Sequence, residues 1–340
     1  MSGGTAPVAR GGRVALDEAD LRARATAAAG APIGDLEVLH GGVSSLTFAT
    51  TLRDRKVVVK VAPPGLEPVR NRDVLRQARV LKALSGAPGV RVPEVLVEDG
   101  GTPPFFIMSF VAGDAYEPLK DVDDRPPGPA VVDARARAAA RMLAALQQVD
   151  PAAIGLGDEP VVGVREELDR WAALFATVPE ELHHGQAELL EALRARVPEP
   201  LAPRVLHGDY RVGNMQFDGP DVAAIIDWEI WSVGDPRSDL AWLMTWCDPV
   251  QLFHRERDAA NTAAGDGMPS AAELLEEYRA INPIDLPDMG WFAAYTRYKM
   301  ASTTAVLVKQ SRRRPDPDPR LEVAATTLPA IVARGLSELR

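Results

Sequence analysis

The spacing of apolar residues changes along this chain, and each change marks an element. Residues 16–30, LDEADLRARATAAAG, read as a helix: acids crowd the first turn, alanines fill the middle and Gly30 supplies the stop. The stretch that follows shifts to strand-length runs: DLEVLH, a glycine turn, SLTFATTL, the charged turn RDRK, and VVVKVA closed by Pro63 and Pro64. Such runs joined by short turns predict an antiparallel meander. Helical spacing returns from Asn71 to Leu84, where Val74, Leu75, Ala78, Leu81 and Leu84 share a face expected to pack on that sheet. Two more strands are expected in VRVPEVLVEDGG and PFFIMSFVAG.

Beyond a Pro-rich loop at 115–130, helical patterns dominate, over 131–149, 164–177, 185–197, 270–281, 289–311 and 318–338. The exception is a set of short apolar runs, at Arg204–Leu206, Asn214–Phe217 and Val222–Ile226, expected as brief strands joined by turns. The fold class is therefore α+β. Residues 1–14 are expected as a flexible arm, 15–112 as a small antiparallel-sheet lobe with one packed helix, and 113–340 as a larger, mainly helical lobe. A site carried by this arrangement is expected between the lobes.

Composition narrows the class. With 340 residues, 46% of them hydrophobic and 25% charged, the chain can bury a core without staples. Its single cysteine, Cys247, excludes an intramolecular disulfide and any zinc site built from several thiolates, and fits a reducing, cytoplasmic setting. No apolar run is long enough to span a membrane, and MSGGTAPVARGGRV lacks the core of a signal peptide. A formal net charge of −10 argues against nucleic acid as a partner, since phosphate backbones select a basic face. The excess is uneven: residues 1–112 hold 14 Lys and Arg against 11 Asp and Glu, and residues 113–340 hold 24 against 37. A solvated surface accounts for that; a lobe that attracts metal ions or a cationic substrate is the sharper reading.

The chemistry concentrates in VLHGDYRVGN, residues 205–214, and in AAIIDWE after it. Asp209 and Asn214 stand five positions apart, and Asp227 ends an apolar run thirteen positions further on. Phosphoryl transfer from ATP needs one carboxylate near the attacking hydroxyl and oxygen ligands for Mg²⁺ on the phosphates, which is one base plus an Asn/Asp pair. The spacing reproduces the catalytic-loop and metal-ligand pattern of kinases.

Taken together, HGDYRVGN, IIDWE and GDPRSDLAW resemble the aminoglycoside phosphotransferase and choline-kinase-like superfamily, over roughly residues 30–310. Within it they look closest to the branch related to the kinase-like domains fused to some acyl-CoA dehydrogenases. The resemblance implies a bilobal, protein-kinase-like fold and an ATP- and Mg²⁺-dependent phosphotransferase acting on a hydroxyl of a small molecule. By the same resemblance Asp209 orients or deprotonates that hydroxyl, Asn214 and Asp227 bind Mg²⁺, and Lys60 reaches the ATP phosphates. HGGVSSLTF resembles the hairpin that covers the nucleotide, with Gly41 and Gly42 allowing close approach and Ser44 and Ser45 offering donors. FFIMSFVAG resembles the hinge, where the backbone of Ser109, Phe110 and Val111 would bond the adenine edge with Met108 behind the ring. His207, Asp235 and Asp239 are expected to brace the loops.

One position departs from the pattern. Gln77 stands where a glutamate is expected to hold Lys60, with Asp73 one turn earlier, so either Asp73 substitutes or Gln is tolerated. The departure keeps alive a second reading, a nucleotide-binding regulatory pseudokinase with little turnover. A metal-dependent phosphoesterase would use more histidines than the five present and would not need Lys60 or a hinge. No motif specifies the acceptor; Trp231, Trp246, Trp291, Tyr295, Tyr298, Glu276 and Glu277 could line its pocket, though core or surface roles explain each.

Overall fold

The computed structural model describes residues 15–39 and 45–340, which form two compact units. Of the described residues, the first comprises 15–39, 45–85, Val92–Val111 and Asp227–Ile230. It contains α1 (Glu18–Ala29) and a five-stranded antiparallel sheet in the order β1 (Glu37–Val38), β2 (Leu46–Leu52), β3 (Arg55–Val61), β5 (Phe105–Ser109), β4 (Val95–Asp99), with α2 (Val74–Leu84) packed on β4 and β5. The helix α1 ends at Gly30, whose φ of 61° is the left-handed cap that a residue without Cβ adopts freely. Between β2 and β3, Arg53 and Asp54 both take positive φ, as a two-residue turn that matches strand twist requires.

Strand periodicity sets the chemistry of this unit. Val57, Val59 and Val61 of β3 join Leu21 and Ala25 of α1 and Phe105 and Ile107 of β5 in one core. Alternation then puts Val58 and Lys60 on the other face. Lys60 is buried there. The helix α2 starts three residues later than its apolar pattern, because Arg70–Arg72 form a 3-10 turn and Asp73 caps the helix by accepting the Arg76 N–H.

The second unit comprises Gly86–Arg91, Ala112–Ile226 and Trp231–Arg340. In chain order it holds α3 (Pro129–Leu146), β6 (Val161–Val162), α4 (Val164–Phe175), α5 (Gln186–Ala195), β7 (Arg204–Leu206), β8 (Met215–Asp218), β9 (Asp221–Ile225), β10 (Ser232–Gly234), α6 (Arg237–Thr245), α7 (Ala259–Asp266), α8 (Ala271–Ile281), α9 (Met289–Arg312), α10 (Pro319–Ala325) and α11 (Leu328–Glu338). The 24-residue α9 is its spine, packed by α4, α5, α6, α10 and α11 around Phe292, Tyr295, Tyr298, Ala301 and Ala305. The hairpin β8–β9 and the sheet β6–β10–β7 bracket the loop that follows β7.

Two expectations need correction. The single helix expected over 318–338 is two, because Pro329 in the first turn of α11 has no N–H to continue the ladder and Thr326 and Thr327 turn their hydroxyls back onto Val323 O and Ala324 O. The strands β6 and β10, each two or three residues long, gave no periodic signal.

Candidate active site

The loop between β7 and β8 is built from its backbone outward. His207 is buried, and its ring bridges Ile226 O (2.8 Å) and the Asp209 N–H (3.3 Å), contacts that one Nε2–H tautomer serves together. Gly208 takes a φ of 85°, which only glycine adopts without strain. Asp239 of α6 accepts both the His207 N–H (2.6 Å) and the Gly208 N–H (3.0 Å). Two backbone donors that no strand satisfies are thereby paired in the interior, where an unpaired N–H costs about 1–3 kcal/mol. Burial pushes the Asp239 carboxyl up, against the pull of His207 and these N–H groups.

Asp209 emerges from this brace with both oxygens engaged. Its Oδ1 accepts the Trp242 indole N–H at 2.7 Å; its Oδ2 accepts Asn214 Nδ2 at 2.7 Å and Arg211 Nε at 3.3 Å. Burial alone would raise the Asp209 carboxyl, but Arg211, then Lys299, and the Asn214 bond outweigh it and hold the group below its ordinary range. It is therefore an anion at neutral pH, able to accept a proton. Asn214 Nδ2 also reaches Asp209 O at 2.8 Å, so the amide donor side faces Asp209 and Oδ1 is its outward acceptor.

Arg211 is held in turn. Its Nη1 lies 3.1 Å from Oε2 of the fully buried Glu117, which also accepts the Gly213 N–H at 2.9 Å, and its guanidinium lies over the Trp246 ring. A Cβ on Gly213 would meet Arg211 Nη1 and Glu117 Oε2, so glycine leaves room for this ion pair. Burial raises the Glu117 carboxyl, offset by Arg211 and the Gly213 bond. From α9, Lys299 donates to Gly208 O at 2.6 Å and lies 4.3 Å from the Trp242 ring centroid. Asp235 serves elsewhere, pairing with the buried Arg237 and accepting the Leu201 N–H.

In the first unit, Lys60 Nζ lies 3.0 Å from Asp227 Oδ1. Asp227 takes a φ of 63°, in the left-handed region that Asp tolerates better than most residues but at a cost of about 1 kcal/mol. Gln77 does not reach Lys60: it is buried with Nε2 on Asn71 O. Asp73 is the cap of α2, so neither residue replaces the expected glutamate, and Asp227 supplies the carboxylate.

At the other expected positions, Ser109 N–H bonds Glu94 O (2.8 Å) and Phe110 N–H bonds Lys56 O (3.4 Å), while Val111 N–H has no partner among the described residues. The Glu94 N–H goes to Ser109 Oγ. Ser45 is buried with its hydroxyl unpartnered among the described residues, and Gly41, Gly42 and Ser44 lie outside them.

The profile of the phosphotransferase enzyme family matches residues 35–325. The chain belongs to that family. A mouse family member, named acyl-CoA dehydrogenase family member 10, is 27% identical over 299 residues, covering 82% of this chain and 27% of its own length. The chain thus spans about a quarter of that relative. A crystal structure from Ralstonia eutropha, provisionally assigned as an aminoglycoside phosphotransferase, covers 95% of this chain with 98% of its own at a TM-score of 0.75 and 24% identity. Another, aminoglycoside phosphotransferase APH(4)-Ia in a complex with ADP and hygromycin B, covers 93% of this chain with 99% of its own at a TM-score of 0.61 and 18% identity. These likenesses establish the kinase-like phosphotransferase fold.

Around Asp209, sequence reasoning missed Glu117, Arg211, Trp242 and Lys299. Arg211 was visible two places after Asp209, and Trp242 three places after Asp239 on one helix; Glu117 and Lys299 carry no local signal. Of the pocket candidates, Trp231, Trp291, Tyr295 and Tyr298 are buried, and Glu277 pairs with Arg137 and Arg141.

Proposed function

We propose that this chain moves the γ-phosphoryl group of ATP to a hydroxyl of a small-molecule acceptor. Asp209 is the base, Asn214 and Asp227 are the Mg²⁺ ligands, Lys60 is the phosphate cation, and the backbone at Ser109, Phe110 and Val111 meets the adenine edge. The observation that carries the reading is the Asp209 carboxylate, kept anionic and fixed by three side-chain donors in a loop of the kinase type.

The residues fit the metal. Asn214 has its donor nitrogen on Asp209, which leaves its oxygen as an acceptor, and among the described residues Asp227 has Oδ2 without a partner beside the oxygen that meets Lys60. Among the described residues no cluster of three or more His, Cys, Asp or Glu could hold an ion unaided; Mg²⁺ on ATP draws most ligands from phosphate and water. When bound, that ion neutralises charge on the phosphates. The chain itself orients the acceptor hydroxyl at Asp209, accepts its proton there, and offers Lys60 to the phosphates. The Val111 N–H, without a partner among the described residues, supports a single backbone donor to the adenine.

Gln77 favours one alternative, a nucleotide-binding pseudokinase, because no glutamate from α2 holds Lys60. ADP release from MgATP separates the two, measured for the wild type and Asp209→Ala against aminoglycosides, choline, sugars and hydroxy acids. Hydroxyacyl-CoA thioesters join the panel because the mouse relative bears an acyl-CoA dehydrogenase name. Acceptor-dependent turnover lost in the variant supports the kinase; ATP binding with no acceptor-dependent turnover supports the pseudokinase.

A further inference from the structure

Trp242 has a single polar atom, a donor, and directs it at the carboxylate read above as the base. The fold does not force that choice. Trp291 satisfies its indole N–H on a backbone carbonyl, Leu193 O at 3.0 Å, and the buried indole nitrogen of Trp246 has no hydrogen-bond partner among the described residues. Placing an indole donor on a carboxylate is a specific arrangement.

Its supports come from both sides. Asp239, three residues earlier on the same face of α6, fixes the backbone of His207 and Gly208. On α9, Lys299 lies over the Trp242 ring and donates to Gly208 O. The main chain before Asp209 and the donor to its side chain are therefore referred to the same two helices.

An aspartate is most in need of such help at its last torsion, which is broad and roughly two-fold. Asn214 and Arg211 hold Oδ2 only. Rotation about Cβ–Cγ is restrained when Oδ1 is tied as well, and Trp242 supplies that tie. We propose that Trp242 is the positioning residue of Asp209: its indole N–H fixes the carboxylate plane toward the acceptor hydroxyl, and Lys299 fixes the indole. The proposal rests on the reading of Asp209 as the base.

The test compares the wild type with Trp242→Phe, with benzothienylalanine at 242, which keeps the bicyclic ring but lacks the N–H, and with Lys299→Met. The readouts are kcat with the acceptor found in the panel, MgATP affinity, melting temperature, and the indole ¹⁵N–¹H resonances. Both replacements at 242 are expected to lower kcat roughly 10- to 100-fold, since small misplacements of a reacting group cost that much. MgATP affinity stays within about two-fold, because the chain's nucleotide contacts are elsewhere. Lys299→Met lowers kcat less, roughly 3- to 10-fold. The resonance lost in Trp242→Phe should move upfield in Asp209→Ala.

Benzothienylalanine keeps the packing, so a kcat within two-fold of wild type there overturns the proposal. So does a joint fall of kcat, MgATP affinity and melting temperature in both 242 variants, which marks a folding role. A Trp242 resonance indifferent to Asp209→Ala removes the hydrogen bond itself. A wild type that phosphorylates nothing removes the kinase reading and the positioning role together, and that failure is visible before any variant is made.

Discussion

Asp209 and Lys60 offer a contrast in how one chain holds two reactive charges. Asp209 accepts from Trp242, Asn214 and Arg211, on a backbone pinned by Asp239 and Lys299. Lys60 has one carboxylate, Asp227, on a backbone already fixed by the β3 ladder. A loop residue must have its geometry supplied by side chains, whereas a strand residue inherits it. The difference also suits the two tasks proposed for them: a base has to face one hydroxyl, while a phosphate cation has to exchange one anion for another.

The largest expected effect comes from removing the proposed base. Asp209→Asn should lower kcat roughly 10²- to 10⁴-fold, the worth of general base catalysis, with MgATP binding retained. If binding is lost as well, the loop and the nucleotide contacts are less separable than the contrast implies. Lys60→Met comes next. Losing a charge-assisted contact worth about 1.5–3 kcal/mol should reduce kcat/KM for ATP about 10- to 100-fold. An unchanged kcat/KM for ATP would leave Lys60 as a partner of Asp227 and nothing more.

Glu117→Gln probes the brace. It leaves an acceptor for the Gly213 N–H but removes one of the two anions beside Arg211, and breaking such a buried pair typically costs about 3–5 kcal/mol, here reduced by the retained Gly213 bond and the Asp209 carboxylate. Denaturant unfolding reads the loss, and an unaltered midpoint would show that the loop is held without it.

The smallest effect lies at neither residue. Glu273 caps α8 through Ser270 and bonds Arg137, contacts that depress its carboxyl from 4.5 to about 2. A depressed acid stabilises the fold above its ordinary value and loses that contribution as pH falls through this window. The melting temperature of Glu273→Gln should therefore lie below wild type at neutral pH and converge on it between pH 4.5 and 2. A constant gap would assign the effect to geometry instead of charge.

Much of this was legible because the signals are local. The helical face of α2, the strand alternation around Lys60 and the five-residue spacing of Asp209 and Asn214 each fit within one or two turns of chain. The partners are another matter. Lys60 finds Asp227 across 167 positions and Gly208 finds Lys299 across 91, and no local pattern links such pairs. Gln77 shows the cost of reading by position: the expected lysine partner is occupied with Asn71, and the carboxylate comes from a remote segment. Short strands such as β10 were unreadable because three residues cannot display a period.

The three-residue spacing of Asp239 and Trp242 has a consequence for how this protein can be recombined. One inserted or deleted residue between them would turn one side chain about 100° around α6 relative to the other, so that backbone and carboxylate of the loop could no longer answer to the same helix. Loop and helix are therefore exchanged safely only as a pair: in chimaeras with other family members, segments 205–214 and 235–246 should be transplanted together, and crossovers that separate them should give folded chains that lose activity.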